Sequence, residues 1–172
     1  MVTISDRSFN SERPDASGPT LKSLCTSAGH EVVAEGLVPD DRGRISSMLR
    51  WLADEQKAEV ILTTGGTGIG TRDVTPEATR DVIERELPVM MQALANESLK
   101  HTPKAMLSRA VAGTRHQTLI INFPGSPKAV TECFAVVAKV LDHAVTLLHG
   151  EDPHAALPDG AGHPAPVAVV PR

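Results

Sequence analysis

Apolar and polar positions alternate in blocks along the chain. Val2 to Ile4 is a β-branched run that stops at Ser5 and Asp6, which predicts a short first strand, and the polar stretch Asn10 to Gly18 predicts a loop. Ser17 is the expected cap of a helix that buries Leu21, Leu24, Cys25 and Ala28 and stops at Gly29. His30 to Val38 predicts one second strand ending in Pro39, Asp40 and Asp41. The next helix carries Ile45, Met48, Leu49 and Leu52 on one face. Val60, Ile61 and Leu62 have the all-apolar character of a strand covered on both sides, and they run into Thr63-Thr64-Gly65-Gly66-Thr67-Gly68.

Thr75-Pro76-Glu77 predicts a helix start with a hydroxyl cap, a proline in the first turn and an acid near the positive end of the dipole. A further helix is expected over Val89 to Lys100. Arg109 to Gly113 and Gln117 to Ile121 are expected as a hairpin or as neighbouring strands, the second opening into Asn122-Phe123-Pro124-Gly125-Ser126. The longest helix then starts at Ser126 and Pro127, with Val130, Cys133, Phe134, Val137, Leu141, Ala144, Val145 and Leu148 as its stripe and Gly150 as its end. From Glu151 the pattern loses its period and turns to Pro, Ala, Gly and His, so residues 1–150 are read as one domain and 151–172 as a disordered tail. Strands alternating with helices imply an α/β fold: three layers, a mostly parallel sheet with helices on both faces.

Composition narrows the chemistry. With 172 residues and 41% of them hydrophobic, the chain can build a core without disulfides. Three Phe, one Trp and no Tyr leave few stacking platforms for bases, and the formal charge of -4 provides no basic footprint, so nucleic acid is not an expected partner. Neither an export signal nor an apolar run of membrane-spanning length is present, so no membrane partner is expected and the cytoplasm is the expected compartment. Cys25 and Cys133 both lie on apolar helix stripes and are expected to be reduced, buried thiols.

Ligands of open α/β sheets bind outside the carboxyl ends of the strands. The expected strand ends here are Ser5 and Asp6, Asp40, the turn Gly65 to Gly70 with Asp73, and Asn122 to Ser126, four loops free to converge on one pocket. The glycine turn is neither a P-loop, lacking Lys and Ser or Thr after its last glycine, nor a dinucleotide fingerprint, because Gly66, Gly68 and Gly70 alternate singly. Its backbone N–H groups can still approach a phosphate closely. Two acids beside such a site repel it unless a divalent cation intervenes, and Mg²⁺ commonly binds through one or two carboxylates plus phosphate oxygens. The plain alternatives are a tight strand-to-helix turn, with Asp40 as a helix cap and Asp73 as a turn former.

The string TGGTGIGTRDVTPEAT over Thr64 to Thr79 resembles the MogA/MoaB family of molybdenum cofactor biosynthesis, which includes the G domain of gephyrin. Ile4-Ser5-Asp6, Val38-Pro39-Asp40, Met106-Leu107-Ser108-Arg109 and LIINFPGSP over Leu119 to Pro127 extend the likeness across residues 1 to about 150. The resemblance implies a molybdopterin adenylyltransferase that joins AMP from Mg-ATP to the pterin phosphate, with no tightly bound organic cofactor. It also implies a homotrimer and a partner protein that inserts molybdate. Carried over by position, Asp40 and Asp73 match essential aspartates that act through Mg²⁺ and nucleotide positioning. Ser98, Ser108, Asn122 and Pro124 match residues tied to pterin or nucleotide binding, and Gly66, Thr67 and Gly68 match the pocket loop. Ser5, Asp6, Gly65, Gly125 and Ser126 complete the expected substrate-binding set. The competing readings are a non-catalytic pterin- or nucleotide-binding module of the MoaB or competence-damage type, and a phosphatase or pyrophosphatase using the same metal site.

Overall fold

A computed structural model of the chain describes residues 1–150 and 166–168. Six strands form one sheet in the order β3 (Gly36–Val38), β1 (Val2–Ile4), β4 (Val60–Thr64), β7 (Thr118–Phe123), β6 (Ala112–Arg115) and β5 (Arg85–Glu86). The first four are parallel, while β6 runs against β7 and β5 against β6. Both faces of the centre are apolar, and alternate residues separate cleanly. Val60, Leu62, Leu119, Ile121 and Phe123 join one core, whereas Ile61 and Ile120 join the other. The first core receives Leu21 and Cys25 of α2 (Ser17–Ser27), Leu94 of α5 (Pro88–His101), Val130, Cys133, Phe134 and Val137 of α6 (Pro127–Val137), and Leu141 and Val145 of α7 (Leu141–Leu148). The second receives Ile45 and Leu49 of α3 (Arg42–Arg50) and Ala78 of α4 (Thr75–Arg80). This is the expected three-layer α/β architecture, with both cysteines buried as free thiols.

Several local expectations are corrected. The single strand over His30 to Val38 is two: β2 (Glu31–Ala34) pairs with β8 (Pro166–Ala168), and β3 pairs with β1. The tail expected to be disordered otherwise lies outside the described residues. Asp6–Phe9 forms one helical turn, α1, between the first strand and the stretch expected as a loop, a segment to which the pattern assigned no element. Ser17 is inside α2 instead of capping it; Asp15 accepts from the N–H groups of Ser17 (3.0 Å) and Gly18 (3.1 Å). The long C-terminal helix breaks at 138–140 into α6 and α7, yet the stripe continues across the break. The hairpin is present with its first strand shifted to Ala112–Arg115 and its turn at His116 and Gln117. Helix α3 continues into a π-helical turn, Trp51–Glu55, that packs Trp51, the only tryptophan, against the second core. Among the described residues no helix is long and apolar enough to cross a membrane.

Candidate active site

At the end of β4 the chain reverses through Gly65 (φ +101°) and Gly66 (φ +62°), the left-handed region that glycine enters without steric cost. Space forbids a side chain as well. A Cβ on Gly65 would stand 2.2 Å from the Ile4 carbonyl oxygen, and one on Gly66 2.3 Å from Thr75 Oγ1 and 2.7 Å from Asp40 Oδ1. The turn is tied to its neighbours by Gly65 N–H donating to Phe123 O (3.2 Å) and Thr75 Oγ1 donating to Gly65 O (2.9 Å). Thr75 is therefore not the helix cap that its position suggested. Val74 holds that place, with no side-chain bond, and the threonine hydroxyl braces the glycine turn.

Three carboxylates surround this turn. Asp6 and Asp40 bond reciprocally, each accepting the other's backbone N–H, at 2.8 Å for Asp6 N to Asp40 Oδ2 and 3.0 Å for Asp40 N to Asp6 Oδ1. Two stretches of chain 34 residues apart are fixed together by that exchange. Arg72 grips Asp6 in a forked ion pair (2.9 and 3.1 Å) and holds its carboxyl below the usual aspartate range. Asp40 moves the other way: burial raises it, and the negative charges of Asp6 and Asp73 raise it further. Asp73 accepts from Gly70 N–H (2.8 Å) through Oδ2, the same oxygen that lies 2.8 Å from where a Cβ on Gly68 would be. Asp40 and Asp73 thus each keep one carboxylate oxygen free of protein hydrogen bonds among the described residues. Among those residues no cluster of three or more His, Cys, Asp or Glu forms a metal cage. Two hard oxygen donors beside a phosphate-sized space fit Mg²⁺, which leaves most of its positions to water and substrate oxygens.

The expected site residues fall into two adjoining cavities. A cavity of about 670 Å³ collects Ser5, Asp6, Asp40, Gly65, Gly66, Asp73, Gly125 and Ser126, so the loops after β1, β3, β4 and β7 converge. A second, about 420 Å³ and mainly apolar, collects Ser98, Ser108, Asn122 and Pro124. Thr67 and Gly68 belong to both and form the wall between them. Two serines of the first cavity serve as caps, Ser5 Oγ accepting from Ser8 N–H and Ser126 Oγ from Ala129 N–H, each at 3.2 Å. Asn122 is fully buried, and its amide is committed inward: Nδ2 donates to the hydroxyls of Thr63 (3.0 Å) and Thr79 (2.9 Å), while Oδ1 accepts from Val111 N–H (3.1 Å). Ser98 Oγ lies 3.4 Å from Cys133 Sγ.

Sequence reasoning missed three residues of this region. Asp15, at the rim of the larger cavity, caps α2 and accepts from Thr3 Oγ1 (2.7 Å); a D-x-S-G run before an apolar helix is a legible cap signal. Arg72 lies two residues beyond the glycine turn, but nothing in the pattern ties it to Asp6, 66 residues away. Arg109 lay inside a quoted motif without a role. Its backbone N–H donates to Thr67 O (2.8 Å), Nε to Gly68 O (2.6 Å), Nη2 to Asp73 O (2.6 Å) and Nη1 to Glu77 Oε1.

Comparison with known proteins adds a family match and three individual likenesses. The family described as "Probable molybdopterin binding domain" matches residues 1–143. The molybdenum cofactor synthesis protein cinnamon of Drosophila melanogaster is 46% identical over 154 residues, which is 88% of this chain but 25% of that protein; the chain spans a quarter of that relative's length. The molybdopterin adenylyltransferase of Helicobacter pylori strain J99 is 36% identical over 157 residues, 87% of this chain and 86% of that one. The solved structure of the molybdopterin biosynthesis enzyme MoaB from Thermus thermophilus superposes with a TM-score of 0.82 at 43% identity, covering 87% of this chain and 94% of that one.

Proposed function

The chain belongs to the family of probable molybdopterin binding domains, and from that membership we propose that it is a molybdopterin adenylyltransferase, a nucleotidyltransferase of molybdenum cofactor biosynthesis that consumes Mg-ATP. One observation carries the reading. Asp40 and Asp73, from distant stretches of chain, face one cavity over a glycine turn. The larger cavity then takes the nucleotide and its phosphates, and the apolar one takes the pterin. The wall of Thr67 and Gly68 is the place where the two reactants meet.

In the reaction an oxygen of the pterin's phosphate attacks the α-phosphorus of ATP. A new P–O bond forms there, and the bond to the β-phosphate oxygen breaks, its electron pair leaving with pyrophosphate. A phosphate monoester has its second pKa near about 6 and is largely dianionic at neutral pH, so no side chain has to remove a proton. Mg²⁺, when bound, neutralises charge on the phosphate oxygens. Asp40 and Asp73 would hold that cation, and their placement on opposite limbs of the site fixes where the triphosphate lies. Backbone N–H groups of the glycine turn orient the transferring phosphoryl group, and in-line positioning is the main work left for the protein. The same proposal includes a cytoplasmic setting, a homotrimer and a molybdate-insertion partner. Val89 and Met106, 75% and 71% exposed, leave apolar surface for such contacts.

The test incubates the protein with Mg-ATP and molybdopterin and looks for pyrophosphate and the adenylylated pterin by mass spectrometry. Asp73→Asn is expected to abolish transfer while retaining pterin binding. Pterin binding by the wild type without either product would instead assign a binding module, and release of inorganic phosphate would assign a phosphatase.

A further inference from the structure

Residues 67–73 run from Thr67 and Gly68, the wall between the cavities, to Asp73, which lines the larger one. Within that segment the backbone bonds are few. Asp73 N–H donates to Gly70 O (3.0 Å), and Gly70 N–H returns to Asp73 Oδ2. Its glycines give it no intrinsic stiffness. Its carbonyls at Thr67, Gly68 and Asp73 are all taken by one residue, Arg109, through the backbone N–H and two sides of the guanidinium. The third side is anchored on Glu77 in the first turn of α4. The ion pair is only moderately covered, with side chains 37% and 34% exposed, so its charge alone does not explain the arrangement. A planar fork bridging two carbonyls and a carboxylate is a geometric device that lysine cannot reproduce.

We propose that Arg109 is a positioning residue for adenylyl transfer: it spans both limbs of the 67–73 loop and so sets the Asp73 carboxylate against Asp40. The inference rests on the reading of function above for its turnover arm only. Arg109→Lys keeps the charge and the contact with Glu77 but loses the bridge between Gly68 O and Asp73 O. Arg115→Lys is the control, because Arg115 makes a similar fork on Asp54 (2.8 and 2.6 Å) and lines neither cavity.

The experiment measures Mn²⁺ binding by electron paramagnetic resonance with α,β-methylene-ATP present, together with kcat, the KM for molybdopterin, and the thermal midpoint. For Arg109→Lys the Mn²⁺ affinity is expected to fall about tenfold and kcat about 100-fold. The pterin KM should stay within about twofold, since the apolar cavity keeps its lining. Arg115→Lys should change neither Mn²⁺ affinity nor kcat. If Arg109→Lys does not fold, Glu77→Gln takes its place, and because it frees one anchor of the guanidinium it should weaken Mn²⁺ in the same direction. The proposal is overturned by wild-type Mn²⁺ affinity in the variant, by an equal loss in the Arg115 control, or by a wild type that holds no Mn²⁺. A wild type that holds Mn²⁺ yet makes no adenylylated pterin refutes the assigned reaction and leaves the metal arm to decide on Arg109.

Discussion

Gly68→Ala separates function from folding at a single methyl group. The added Cβ would stand 2.8 Å from Asp73 Oδ2, and among the described residues beyond its chain neighbours the one other atom within 4 Å is Cγ of the same carboxylate, at 3.7 Å. Ordinary contact begins at 3.4 Å, so the carboxylate must retreat by at least about 0.6 Å. The obstacle is the far end of a flexible side chain, and alanine also restricts the unfolded chain by about 0.4–1 kcal/mol, so net stability should stay within about 1 kcal/mol of wild type. A reacting geometry misplaced by about 1 Å costs on the order of 100-fold, which makes a loss of roughly tenfold or more the expectation here. Gly66→Ala is the contrasting case. Its left-handed φ costs about 1–2 kcal/mol, and crowding of the Thr75 hydroxyl against its bond to Gly65 adds about 1 kcal/mol. The midpoint should drop by about 4–12 °C. Thermal unfolding, urea denaturation and pyrophosphate release, measured on both variants, decide the matter. A Gly68→Ala protein that turns over at the wild-type rate, or that loses activity only because it unfolds, refutes the claim that this wall sets the carboxylate.

Two further variants test the environment assigned to single side chains. The carboxyl of Asp40 is raised above its ordinary value of 3.8 by burial and by Asp6 and Asp73, so its ionised form costs native stability at neutral pH, a cost that fades as pH falls toward 3.8. Asp40→Asn should therefore match or exceed wild type in urea midpoint at pH 7, the difference closing on acidification, while transfer is lost at every pH. Asn122→Ala leaves the Val111 N–H and the hydroxyls of Thr63 and Thr79 without their buried partner, which should cost about 2–4 kcal/mol and lower the midpoint by about 4–16 °C. Thermal unfolding followed by circular dichroism measures it, and an unchanged midpoint would refute the inward role of the amide.

How far the sequence could be read depended on whether a residue's partner was local. Strand β4 and the glycine turn were legible because an all-apolar run and adjacent glycines carry their meaning in a few residues, and α5 because its pattern is long. Asp40 and Asp73 were legible as strand-end acids. Their meeting over one cavity is a consequence of strand order, β1 lying between β3 and β4. Illegible features depended on distant contacts. The separation of β2 from β3 reflects a partner at Pro166–Ala168, and the break between α6 and α7 has no glycine or proline to announce it. Thr75 has the form of a cap, but a carbonyl ten residues back takes its hydroxyl. Arg109 and Arg72 join segments 41 and 66 residues away, which no periodicity records.

Trp51 lines neither cavity; it packs beside Leu49 and Leu52 on the far core. With no tyrosine in the chain, ultraviolet emission comes almost entirely from this one indole. That signal reports whether the α3 side is folded and is nearly blind to nucleotide or pterin. Titrations that watch it for quenching will underestimate occupancy, and a fluorophore placed on the 67–73 segment is the better reporter.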